Sequence, residues 1–130
     1  MRVIAFMVVV MAALIMLVAS HEKSMIVDAQ SRVELRCGWF SNPTPANAWL
    51  IDRNGEWTIG IQGGYQAEGD WPEIEDSQWV KTNVHYGYGC ACIKATVDRK
   101  QERVIKIVSS YGKTLAACRK DAALKKKEPR

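Results

Sequence analysis

Tyr86-Gly87-Tyr88-Gly89-Cys90-Ala91-Cys92-Ile93 holds two of the chain's four cysteines, one residue apart. Side chains two apart on an extended strand point to the same face. Cys90 and Cys92 therefore look the same way. The other cysteines, Cys37 and Cys118, stand near the two ends of the folded part. A Cys90–Cys92 bridge would close a small strained ring, so each takes a different partner. One strand then pins both ends of the domain. Two connectivities satisfy this. A C-terminal helix that folds back over the strand would put Cys118 over Cys92, so the expected pairs are Cys92–Cys118 and Cys37–Cys90.

Outward from this stretch, Tyr86–Val97 reads as one long strand with two unlike faces. Gly87, Gly89, Ala91, Ile93, Ala95 and Val97 form an apolar face that should lie on the core. Tyr86, Tyr88, Cys90, Cys92, Lys94 and Thr96 form the other, which needs cover only around the cysteines. Asp98–Glu102 turns the chain and Arg103–Ser109 returns, with Ile105 and Ile107 meeting Ala95 and Ile93. Leu115–Leu124 reads as a short helix with Thr114 as N-cap and Leu115, Cys118 and Ala122 on one side.

Before the central strand, Arg32–Phe40 alternates, and the pattern puts Val33, Leu35, Cys37 and Trp39 inward with Arg32, Glu34 and Arg36 outward. Pro43 and Pro45 break it. Ala48–Ile61 is a hairpin: Asn54-Gly55 suits a two-residue turn, pairing Arg53 with Glu56, Leu50 with Ile59 and Trp49 with Gly60. Ala48, Leu50, Trp57, Ile59 and Ile61 then face the core, and Trp49 covers Gly60. Gln62–Gln78 is a long loop rich in glycine and acid, followed by a short strand over Trp79–Thr82.

These elements predict a mainly β (α+β) domain: a small antiparallel sheet or partly open barrel of about five strands with one C-terminal helix. The opening Met1-Arg2, the apolar run Val3–Ala19 and the polar exit at Ser20 describe a signal peptide, residues 1–20, cut after Ser20 or after Ala29, with an uncleaved membrane anchor as the competing reading. Residues 21–31 are a loose lead-in, 32–124 a single disulfide-bonded domain and 125–130 a basic tail. Export to the periplasm or beyond suits disulfides rather than zinc, whose cysteines come in Cys-x-x-Cys pairs.

The 130-residue chain carries a net charge of +4, unevenly spread. Asp52–Asp76 is acidic and Lys81–Arg130 basic. No aromatic residues interleave the C-terminal lysines, which argues against nucleic acid and for a solvated terminus.

Arg36-Cys37-Gly38-Trp39, Asn42-Pro43-Thr44-Pro45, Asp52-Arg53-Asn54-Gly55-Glu56-Trp57, Gln62-Gly63-Gly64-Tyr65 and Tyr86-Gly87-Tyr88-Gly89-Cys90-Ala91-Cys92 are distinctive runs. Together they resemble the family of small exported bacterial proteins known as domain of unknown function 4087. The resemblance covers nearly all of the mature part. It implies a bacterial envelope location and brings no activity, fold or site residues with it.

His85 could act as a base but has no nucleophile motif beside it. The loop acids Glu68, Asp70, Glu73, Glu75 and Asp76 could supply a hydrolase's carboxylate pair, which must flank the scissile bond. Five tryptophans and four tyrosines offer sugar- or protein-binding faces. Trp39 and Trp57 are assigned to the core. Trp49, Tyr65, Asp70, Trp71 and Trp79 make the candidate binding surface. The expected function is a non-catalytic binding or interaction module of the bacterial envelope, an inhibitor or a glycan or protein binder. A small hydrolase using the acidic loop is the second reading, and a purely structural envelope component the third. No cofactor is expected. The expected partner is an envelope protein or glycan, bound by a monomer with no stable membrane insertion after cleavage.

Overall fold

A computed structural model describes residues 32–130, of which Val33–Arg130 form one compact unit. The signal peptide and lead-in lie outside the described residues. The strands are β1 (Glu34–Thr44), β2 (Asn47–Asp52), β3 (Glu56–Gly60), β4 (Val80–Asn83), β5 (Tyr86–Asp98) and β6 (Arg103–Lys113), followed by helix α1 (Leu115–Lys120). The fold is mainly β. The sheet order is β1-β2-β3-β6-β5-β4, and β1 also pairs with β5, which bends the first five strands of that order into a partly closed ring.

β5 organises the ring. Its Gly87–Ala95 run pairs with β1, and on the other edge Cys90–Asp98 pairs with β6 while Tyr86–Tyr88 pairs with β4. The ring closes through a seam. Thr58 meets Arg103 in a parallel pairing, and Gln66–Glu68 wedges between β3 and β6. Ala67 N donates to Ile59 O at 2.8 Å, Glu68 N to Ile105 O at 3.0 Å, and Ile107 N to Glu68 O at 2.8 Å. The sheet is thus mixed where an antiparallel one was expected.

The two faces of β5 bury different cores. Ala91, Ile93, Ala95 and Val97 point into the ring with Phe40, Ala48, Leu50, Trp57, Ile59, Val104 and Ile107. Burying each large aliphatic side chain stabilises the fold by about 1.5–3 kcal/mol. Trp71, Ile74 and Trp79 pack against this core. Trp71 and Trp79 lie 5.8 and 6.2 Å from the Phe40 ring. The opposite face of β5 carries Tyr88 and Cys90, which join Trp39, Cys118 and Leu124 in a second core under the C-terminal segment. Trp39 donates its indole N–H to Leu124 O at 3.0 Å and stands edge-on to Tyr88.

β1 departs from its expected pattern. Val33 and Leu35 are exposed and Arg36 is buried. Trp39 faces the second core while Arg36 and Phe40 face the ring interior, so both faces of this strand are partly covered. The Arg36 guanidinium lies 3.7 Å over the Trp57 ring and pairs with buried Asp52. Asp52 also accepts from Trp57 Nε1 at 3.1 Å, Asn54 N at 2.7 Å and Gly55 N at 3.0 Å. Those bonds leave four residues, Asp52–Gly55, between the paired Ile51 and Glu56, instead of the two-residue turn. The register shifts with it: Ile51 pairs with Glu56, Leu50 with Trp57, Trp49 with Thr58 and Ala48 with Gly60. The expected core positions are buried except Ile61, which is exposed.

The disulfides are Cys37–Cys92 and Cys90–Cys118, the opposite of the expected pairing. The β1–β5 register puts Cys37 directly opposite Cys92. β6 continues to Lys113, four residues past the expected end at Ser109, and there it faces Cys90. α1 begins beside Cys90, and its Cys118 comes down on that residue. The helix is shorter than expected, and Ala122 is exposed while Leu124 covers the second core. Thr114 makes no capping bond; Gln78 Oε1 accepts from Leu115 N at 2.9 Å instead. The basic tail is anchored rather than fully solvated. Lys127 Nζ donates to Asp52 O at 2.8 Å, and Glu128 accepts from Arg119 at 2.7 Å and Tyr88 OH at 3.1 Å.

Candidate binding groove

The seam sets up a groove along β6. A parallel ladder continuing past Glu68 would run through Asp70. Among the described residues, no backbone hydrogen bond joins Gly69–Ile74 to β6. Gly69 leaves the ladder at φ 94°, so close to Ile107 O that a Cβ there would overlap it. The segment meets β6 again at Gly112, where a Cβ would lie 2.7 Å from Glu73 O. Between these contacts the two segments separate. They leave an open groove of about 590 Å³, with Asp70, Trp71 and Glu73 on one wall and Val108, Ser109 and Tyr111 on the other. The Ser110 hydroxyl reaches Asp70 O at 3.4 Å.

The walls differ chemically. Trp71 is held edge-on to Phe40, at 65° between planes, so its ring is fixed by the core. Tyr111 and Val108 are 50% and 57% exposed and present apolar surface to the groove. Neither Asp70 nor Glu73 makes an ion pair among the described residues, and both are exposed. Every carboxylate lining the groove is on the Gly69–Glu73 wall; the β6 wall contributes Ile107, Val108, two serines, Tyr111 and Gly112.

The candidate residues read from the sequence do not form one surface. Asp70 and Trp71 share the groove. Tyr65 belongs to the seam: its hydroxyl donates to Val104 O at 2.6 Å and Arg103 lies 4.4 Å over its ring. Burial raises the Tyr65 pKa against the pull of Arg103, with Asp98 and Glu68 adding to the rise. Trp79 packs on Phe40 and donates to His85 O at 2.9 Å. His85 is exposed and stacks on Tyr86 at 4.2 Å. Trp49 is half-buried on the outer face of β2, opposite Ser41 and Thr58 rather than across Gly60, and joins neither core.

Sequence reasoning missed Tyr111 and Val108. The β5–β6 register shifts between Lys94 and Ala95 and between Thr96 and Val97, leaving Val108 and Ile105 as extra residues on β6. These bulges destroy the alternation that would have carried the strand to Lys113. The remaining signal was Gly112, a glycine where another backbone crosses closely.

Among the described residues, no helix is long and apolar enough to cross a membrane, and the two disulfides are consistent with an oxidising compartment. No curated protein and no solved structure matches the chain. The family model described as "Protein of unknown function (DUF4087)" matches residues 31–125, well over half of the sequence, and the chain belongs to that family.

Proposed function

We propose that this domain is a non-catalytic glycan-binding module of the bacterial envelope, exported and acting as a monomer, with the β6 groove as its working surface. The observation that carries the reading is the pairing of a core-fixed Trp71 and an exposed Tyr111 with two unpaired carboxylates in one open groove. Aromatic faces cover the apolar side of a sugar ring, while Asp70, Glu73 and the serines meet its hydroxyls. Small, partly open β-barrels bind oligosaccharides elsewhere, on strand faces and loops. The hydrolase reading gains no support from the groove, because its acids line one wall and glycoside hydrolysis needs two carboxylates flanking the bond.

The experiment is isothermal titration of soluble envelope-type oligosaccharides, N-acetylglucosamine oligomers among them, into the wild type and Tyr111→Ala. Losing one stacking ring should weaken binding about tenfold. A ligand bound equally well by both proteins removes the groove as the site. Trp71 is a poorer probe, since it also packs on the core.

A further inference from the structure

The two disulfides differ in access. Cys90 and Cys118 are 2% and 1% exposed, beneath the C-terminal segment. Cys92 is fully buried, but its partner Cys37 is only partly buried. Cys37 lines an open depression of about 440 Å³ beside Arg36, Arg53 and Arg99, with Glu34 and Asp121 on the same walls. Arg53 and Arg99 are 68% and 67% exposed. Arg53 pairs with Asp121 at 3.4 Å, a surface contact of a kind worth little and easily exchanged, while Arg99 at 2.8 Å shares Glu34 with the buried Arg36 at 3.1 Å.

We propose that Cys37 is a thiol-exchange site, at which a small zwitterionic peptide thiol of the glutathione class forms a mixed disulfide. The thiolate of the incoming thiol attacks Cys37 Sγ. The new sulfur–sulfur bond forms as the Cys37–Cys92 bond breaks, and Cys92 leaves with the bonding pair and takes a proton from water. One thiol and one protein disulfide become one mixed disulfide and one Cys92 thiol, with the incoming sulfur oxidised and Cys92 reduced. Attack goes to Cys37 because exchange requires access to the sulfur, and Cys92 has none. The guanidinium forks of Arg53 and Arg99 suit the ligand's carboxylates, and Glu34 and Asp121 suit its ammonium. β1 stays in place after the exchange, since the β1–β5 ladder and Cys90–Cys118 remain.

The test treats the folded protein with reduced glutathione under native conditions, quenches with excess alkylating agent in denaturant, so that buried thiols are also capped, and maps the peptides. The expected product carries glutathione on Cys37, an alkylated Cys92 and an intact Cys90–Cys118 bridge. Arg53→Glu combined with Arg99→Glu should slow glutathione about tenfold and slow 2-mercaptoethanol, whose attacking thiolate carries one negative charge and no carboxylates, several-fold less, since the charge acts on the encounter. Glutathione found on Cys92, or the two bridges opening together with loss of the fold, overturns the site. Equal slowing of both thiols overturns the role of the arginines.

Discussion

Cys37 faces Cys92 directly across the β1–β5 ladder, and the bridge between them joins two strands that pair without a register shift from Glu34 opposite Ala95 to Asn42 opposite Gly87. It spans 55 residues of sequence, and Cys90–Cys118 spans 28. On the chain-entropy model these loops are worth about 4 and about 3.5 kcal/mol. The Cys37→Ala, Cys92→Ala double variant should therefore lose about that much stability in urea while keeping its other bridge oxidised. A loss within about 1 kcal/mol would show that the register already holds the strands without the bond.

Asp52 joins a buried ion pair to a loop. Removing it leaves the buried Arg36 with Glu34, 3.1 Å away and only partly buried, as its remaining carboxylate, so the loss should be about 3 kcal/mol, the low end for breaking a buried pair. Asp52→Asn keeps an oxygen for the Asn54 and Gly55 N–H groups but not the charge. It should lose most of what Asp52→Ala loses in chemical denaturation. Near-wild-type stability for the Asn variant would place the energy in the loop rather than in the ion pair.

Val84, at the β4–β5 turn, has φ 55° and is 82% exposed. A β-branched residue in the left-handed region is strained, and no burial offsets the strain here. Val84→Gly should raise stability by about 1 kcal/mol, read as a higher thermal midpoint. A lower midpoint refutes the strain.

The C-terminal anchor should respond to acid. Arg119 holds the Glu128 carboxyl below its usual range, against desolvation and with help from Tyr88. A depressed carboxylate contributes stability that is present above its unfolded pKa and lost as pH falls through the folded one. The tail should therefore loosen on acidification through the carboxylate range. Tyr88 and Leu124 resonances would report it, and Glu128→Gln should abolish that pH dependence. An unchanged profile in the variant would assign the transition to another acid.

Much of the ring could be read from periodicity. Ala91, Ile93, Ala95 and Val97 on β5, and Ala48, Leu50, Trp57 and Ile59 on the hairpin, recur at every second position because each set points into the ring. Local pattern failed where tertiary partners decided the outcome. Arg36 reads as a solvent residue until Asp52 and Trp57 are brought to it. The loop at Asn54-Gly55 follows the Asp52 side chain rather than the dipeptide. The cysteine pairing depended on how far β6 runs, and two bulges hid that. The groove was half legible: its acidic wall was expected and its Tyr111 wall was not.

The most direct test of the central claim is a backbone-amide shift map of the isotope-labelled domain, titrated with the oligosaccharide that it binds best. The largest shifts should fall in Asp70–Glu73 and Val108–Gly112, with Trp49 and Thr58 unmoved. Shifts centred on Trp49 and Thr58 instead, or no shift in the groove with any oligosaccharide, would contradict the claim.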